Sequence, residues 1–281
     1  MAARKLHVLI YATIANCCLF LVVCGVALGT NKWFSTSTEA AVGGITVSTS
    51  YGLFVGEKTK NNVGSRTKYS LKIVCQGSNC MFSCGQSSDA RKQDIEDLLA
   101  GKGEADGNIC SDIYVPATYN LNNAIRQAQD GAPERVFINF GLYLATIAFI
   151  ALGMIFAIVA GVLALYNTYR TPIQPVLSVS GLYVWNGIAA ASILLAMIMW
   201  IIQLSARLRK NAAISDTLSG SHDSSGVGSL GISFWVLILA IIFAIANIGV
   251  IRYRTWKIVK LEENNVRVMT EKLESGDILL F

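Results

Sequence analysis

Apolar positions along the chain gather in four long runs, residues 8–28, 136–165, 176–202 and 232–251, and none of the four contains Asp, Glu, Lys, Arg or His. Each is about as long as the roughly 20 residues a helix needs to cross the hydrocarbon of a bilayer. One such run could be a buried core helix, but four in one chain predict a four-pass membrane protein. Arg4 and Lys5 precede the first run as the charged end of a signal peptide would, yet 21 residues exceed the roughly 7 to 15 of a cleavable apolar core, so this run is read as a retained helix.

The polar segments between the runs carry different periods. In the long segment 29–135, residues 44–54 and 68–75 alternate β-branched with polar residues between glycines, which predicts a small antiparallel sheet. Residues 89–100 read as a short capped helix ending at Gly101, residues 101–107 as a turn, and residues 119–130 as another helix. Lys32, Trp33 and Phe34 stand where the first helix leaves the bilayer, so the two aromatics are read as interfacial anchors. The segment 166–175 is short, and Pro172 and Pro175 end the helices on either side, making spans two and three antiparallel neighbours. Good helix formers with no breaker carry the third helix to about residue 213, and the Ser/Gly-rich remainder of 203–231 reads as a flexible second loop. The fold class is therefore a membrane all-α four-helix bundle with a small extracellular antiparallel β-sheet.

Charge sets the orientation. Arg4 and Lys5 in the terminus 1–7 hold that end in the cytoplasm, and Arg252, Arg254, Lys257 and Lys260 at the start of the tail 252–281 do the same for the other. The segment 166–175 carries Arg170 and no acid, whereas the long loop balances 11 basic with 11 acidic residues, a composition that translocation tolerates. Arg207, Arg209 and Lys210 fall on the opposite side and are read as the solvated end of the third helix. The net charge of +5 is mostly this topology signal, and no basic run interleaved with aromatics points to nucleic acid.

Seven cysteines divide along the same lines. Cys17, Cys18 and Cys24 lie in the first helix, where a thiol behaves as a small hydrophobe, while Cys75, Cys80, Cys84 and Cys110 share the long loop. An even number in an oxidising compartment predicts two disulfides, with three pairings open; the spacing fits a zinc site poorly. Small residues recur every four positions at Gly25 and Gly29, and at Gly153, Ala157 and Gly161, which lets helix backbones approach closely within the bundle. Asn16, Asn139, Asn186 and Asn247 are expected to seek hydrogen bonds between helices.

A membrane pump, carrier or enzyme usually needs ionisable groups at depth, and the spans hold none. The two histidines, His7 and His222, are too few and too far apart for a metal site, triad or relay, so no cofactor, no metal and no enzymatic activity are expected. The partners left are the lipid bilayer and other membrane proteins.

A large loop between the first two of four helices resembles the claudin superfamily, whose loop motifs are loosely matched by Trp33, by Gly52, Leu53 and Phe54, and by the cysteines from Cys75 on. The chain more specifically resembles the clarin family. The resemblance rests on Tyr51, Gly52, Leu53, Phe54, Val55 and Gly56; Tyr166 and Asn167 leading to Pro172; Gly181, Leu182 and Tyr183; Leu204 and Ser205; and Ser233, Phe234 and Trp235. The tail, Asp277, Ile278 and Leu279 ending in Phe281, is similar too. The chain has no Asn-x-Ser/Thr sequon and carries extra sequence around residues 86–132, which marks a divergent member, of the kind expected from an invertebrate.

The resemblance implies a non-enzymatic plasma-membrane protein that organises a membrane complex, in the mechanotransduction or synaptic apparatus of sensory hair cells and in links to actin. It also implies that the sheet around Tyr51 to Gly56 meets another membrane protein. Leu279 and Phe281 would suit a PDZ groove, and Glu274 with Ile278 and Leu279 has the spacing of an acidic dileucine signal. A claudin-like adhesion or barrier protein and an ion-channel auxiliary subunit are the alternatives.

Overall fold

The computed structural model of the protein describes residues 2–39, 46–62, 65–100, 136–169, 178–210 and 226–274. In chain order the elements are α1 (Ala2–Gly29), β1 (Phe34–Glu39), β2 (Thr46–Tyr51), β3 (Val55–Asn62), β4 (Ser65–Gln76), β5 (Asn79–Ser83), α2 (Ser88–Leu99), β6 (Ile138–Asn139), α3 (Phe140–Tyr169), α4 (Val179–Gln203), β7 (Ser229–Leu230) and α5 (Ile232–Glu274). Four helices, α1, α3, α4 and α5, are long and apolar enough to cross a membrane, and the chain is a multi-pass membrane protein with four candidate spans. The predicted helix 119–130, the turn 101–107, Cys110, the end of the third helix near residue 213, Leu279 and Phe281 lie outside the described residues.

Two helices continue past their apolar runs. The α-helical part of α4 stops at Gln203 and is continued by a π-helical turn, Leu204–Leu208, in which the Arg209 N–H reaches back to the Leu204 carbonyl at 2.9 Å. Helix α5 runs well past residue 251, to Glu274, because its charged continuation contains no Gly or Pro to stop it.

The described chain forms two compact units. One comprises Met1–Val22, Leu152–Ser192 and Leu239–Phe281. Its core packs Ile10, Cys17, Ala160, Ala164, Leu182 and Ile251. The close approach expected of small residues occurs here at Gly161, where an added methyl would stand 3.5 Å from the Cys17 Cβ. Ala157 and Gly153 are buried on the same helix face. A buried polar chain runs through the unit: Asn247 Nδ2 donates to Asn186 Oδ1 at 3.0 Å and contacts Cys17 Sγ at 3.2 Å, while Asn186 Nδ2 donates to the Leu182 carbonyl at 2.8 Å.

The other unit comprises Val23–Ala151 and Ile193–Ile238, and it holds the sheet. Seven antiparallel strands run in the order β6-β5-β4-β3-β2-β1-β7, most of them supplied by the chain between α1 and α3, the claudin-like arrangement the sequence predicts. In β2 the alternation is literal, with Val47, Thr49 and Tyr51 buried and their neighbours half-buried. The sheet curls. Tyr51 on β2 stacks on Phe82 of β5 with ring centroids 4.4 Å apart although two strands lie between them, whereas a flat sheet would hold strands three positions apart about 14 Å from one another.

Strands β4 and β5 meet at a tight turn in which Gly77 takes a φ of +60°, a left-handed conformation that glycine adopts without strain. Cys75 and Cys80 face one another across that turn and are joined by a disulfide. Cys84 is also disulfide-bonded. Helix α2 starts on Ser87, whose hydroxyl accepts from the Ala90 N–H at 3.0 Å, and it buries Ile95 and Leu98 against Met81. Buried Asp94 accepts from the Ser83 hydroxyl, which in turn accepts from the Gly85 N–H at 2.9 Å.

Candidate interaction surface

The sequence Tyr51-Gly52-Leu53-Phe54-Val55-Gly56 makes the turn between β2 and β3. Gly52 N–H donates to the Val55 carbonyl at 2.8 Å to close it, and Ile73 N–H on β4 donates to the Phe54 carbonyl at 3.3 Å. Within this turn Leu53 is fully buried, whereas Phe54 is 46% and Val55 40% exposed. An aromatic and a β-branched residue thus project side by side from a turn whose other members are buried.

The base of the turn is locked to the end of α1. A Cβ on Gly52 would stand 2.0 Å from the Thr30 carbonyl oxygen, so only glycine fits there. Gly56 is similarly constrained, with the Tyr51 Cβ 2.7 Å from where its own Cβ would be. Trp33 N–H donates to the Tyr51 carbonyl at 3.0 Å, and Tyr51 is sandwiched between Phe34 at 4.8 Å and Phe82 at 4.4 Å. Full burial pushes the Tyr51 phenol above its usual range, so it stays neutral.

Trp33 and Phe34 are fully buried, so they are core residues and not the interfacial anchors expected of them. The Trp33 indole packs edge-on to Trp200 at 5.2 Å and to Phe234 at 6.4 Å, and its Nε1–H donates to the Ala27 carbonyl at 2.6 Å. That bond satisfies one of the carbonyls left open at the end of a helix. On the other side of Trp33, the segment leading into α5 is fastened. Gly231 N–H donates to the Trp33 carbonyl at 2.9 Å, Ser233 N–H to the Lys32 carbonyl at 3.0 Å, and the Thr30 hydroxyl to Ser233 Oγ at 2.7 Å. A Cβ on Gly231 would stand 2.0 Å from the Lys32 carbonyl oxygen.

Two motifs that lie about 180 residues apart, Tyr51 to Gly56 and Ser233 to Trp235, are therefore joined through one buried Trp33. Trp200, Gly231 and Phe82 complete this junction and were not singled out by sequence. Nothing local marks them, because Trp200 in a span and Phe82 on β5 read like any other apolar residues, and Gly231 like any other loop glycine. The other site residues do not join it. Gly25 and Gly29 are exposed, and among the described residues an added methyl would meet nothing within 4 Å. Asn139 proves to be a helix cap, its Oδ1 accepting from the Leu142 N–H at 3.1 Å. Among the described residues, no three His, Cys, Asp or Glu side chains come together in a way that could hold a metal ion.

No family model matches the chain. It is 26% identical over 110 residues to Clarin-3 of Homo sapiens, a stretch that is 39% of this chain and 49% of that protein. It is also 26% identical over 102 residues to Clarin-3 of Mus musculus, 36% of this chain and 45% of that protein. The chain spans about half the length of the curated relatives it matches. Four apolar helices, a curled sheet between α1 and α3 and this distant similarity to Clarin-3 are together consistent with a divergent member of the clarin family, and the chain is a clarin-like tetraspan membrane protein.

Proposed function

We propose that the protein is a non-enzymatic organiser of a plasma-membrane complex, with both termini in the cytoplasm and the sheet outside the cell. The observation that carries this reading is the exposed pair Phe54 and Val55 on a turn whose base is locked by Gly52 against Thr30 and by Trp33 against Tyr51. A rigidly held aromatic beside a β-branched residue loses little conformational freedom on binding, which is how an anchor of an interface gains affinity. Its partner is another membrane protein, a channel or an adhesion molecule, because the turn sits beside the end of a membrane-spanning helix. The likeness to clarins supports a place in the mechanotransduction or synaptic apparatus of sensory cells, with the cytoplasmic tail, Leu279 and Phe281 included, reaching a PDZ or actin-linked scaffold.

Proximity labelling in the native cell, followed by affinity purification in mild detergent, tests the proposal with wild type and Phe54→Ala compared. Recovery of a membrane partner that falls at least fivefold with Phe54→Ala is the expected result. Equal recovery by both, or recovery of the protein's own copies alone, would refute it.

A further inference from the structure

Twenty residues of α5, from 232 to 251, cover about 30 Å at 1.5 Å per residue, the thickness of the hydrocarbon layer. The same helix then continues without a break through Arg252, Tyr253, Arg254, Trp256, Lys257 and Lys260. Residues 252–260 contain four cations and no acid. They emerge at the level where lipid phosphates lie.

The side chains in this stretch are arranged, not merely clustered. Tyr253 and Trp256 stack with ring centroids 6.0 Å apart, and they are 46% and 54% exposed. Lys257 Nζ lies 4.8 Å above the Tyr253 ring and Lys260 Nζ 5.1 Å above the Trp256 ring, so each ammonium is held beside an aromatic face. Arg254 flanks this stripe on the side of the unit's core. It lines a narrow cleft with Ile10, Thr13, Asn167, Leu182 and Ile251, and its Nε is buried with no hydrogen-bond partner among the described residues. A half-buried guanidinium whose Nε–H is enclosed in such a cleft without a partner calls for an anion, because burying that donor without one is costly.

We infer that residues 252–260 form a binding site for the phosphate of an anionic phospholipid, with Arg254 as its inner contact, Arg252, Lys257 and Lys260 around it and the Tyr253–Trp256 stack against the acyl boundary. A phospholipid is favoured over a free phosphate because the site continues directly from a span, and Tyr and Trp are enriched at that depth of the bilayer. The inference needs the fourth span but not the partner proposed above, so the two can fail separately.

The test is native mass spectrometry of the full-length protein in mild detergent, titrated with phosphatidylglycerol, with phosphatidylcholine and with glycerol 3-phosphate. Phosphatidylglycerol is expected to bind at least fivefold more tightly than phosphatidylcholine. Arg254→Gln combined with Lys257→Gln and Lys260→Gln is expected to erase that preference, while Arg254→Lys keeps most of it. Should the triple variant fail to fold, the wild-type preference is expected to weaken at least threefold as salt is raised tenfold, by screening of the exposed cations. Equal binding of the two lipids, a preference that persists in the folded triple variant, or a preference insensitive to salt would overturn the inference. Competition by glycerol 3-phosphate at the concentrations at which the lipid binds would assign the site to free phosphate and overturn it equally.

Discussion

The indole N–H of Trp33 donates to the main-chain carbonyl of Ala27 at 2.6 Å, so a residue of the sheet's first approach closes the end of the helix it follows. Through the same residue's backbone, Tyr51 is attached on one side and Gly231 on the other. Trp33→Phe keeps much of the ring but leaves the Ala27 carbonyl with only the longer bond from the Thr30 hydroxyl at 3.2 Å, and is expected to cost about 0.5–1.5 kcal/mol. Trp33→Ala also removes the edge contacts to Trp200 and Phe234 and is expected to cost about 3–5 kcal/mol. Thermal melts of the purified protein in one detergent should place Trp33→Phe between wild type and Trp33→Ala. A Trp33→Phe variant as stable as wild type would show that the hydrogen bond contributes nothing.

Four glycines of this chain contrast in what surrounds them. Gly52 and Gly231 each have a carbonyl oxygen 2.0 Å from where a Cβ would stand, whereas Gly25 and Gly29 have nothing within 4 Å among the described residues. Backbone cannot move aside as a flexible side chain would. Gly52→Ala and Gly231→Ala are each expected to destabilise by about 1–3 kcal/mol or more, while Gly25→Ala and Gly29→Ala should leave the melting temperature unchanged or slightly raised, since Ala is the better helix former. The contrast is read by comparing folded yield on size exclusion with melting curves for the four variants.

The sequence showed plainly those features that rest on local pattern. Four uncharged runs specify four helices, the alternation in residues 44–54 gives β2, and the helical pattern in residues 89–100 gives α2. Strand β3 escapes such a reading because Val-Gly-Glu-Lys-Thr-Lys-Asn-Asn is polar and of low strand propensity; it is a strand because β2 and β4 pair with it on both sides. Strands β6 and β7 are two residues each and exist only as additions to the sheet's edges. Trp33 was legible as an aromatic at a helix end, but an interfacial anchor and a buried lock have the same sequence signature, and only the return of the chain at Gly231 and Ser233 decides between them. The turn at Tyr51 to Gly56 was marked by resemblance, while its geometric cause, the Thr30 carbonyl beneath Gly52, comes from 22 residues upstream and is invisible locally.

Asn247 and Asn186 hydrogen-bond at 3.0 Å in the apolar surroundings of a helical unit. Such bonds between membrane helices contribute about 0.6 kcal/mol on average and up to about 1.7 kcal/mol. A double-mutant cycle of Asn247→Leu and Asn186→Leu, measured by denaturation in mixed micelles, is expected to give a coupling energy in that range. Additive single effects would show that the pair is adjacent without being coupled.

Glu57 on β3 and Lys68 on β4 form an ion pair at 2.8 Å, and the hydrogen bond from Lys68 holds the Glu57 carboxyl below its ordinary value of 4.5. Because the folded value lies below the unfolded one, the pair's contribution is fully present above about pH 5 and is lost as pH falls through the depressed folded value. Lys68 is 56% exposed and Glu57 34%, so solvent screening limits the effect to well under about 1 kcal/mol. Stability measured from pH 7 down to pH 3 should therefore fall slightly less steeply in Glu57→Gln than in wild type, with the difference confined to the acid end. The difference should shrink further in high salt, since the pair faces solvent. Parallel curves at all pH values would mean that Lys68 is no closer to Glu57 in solution than to bulk water.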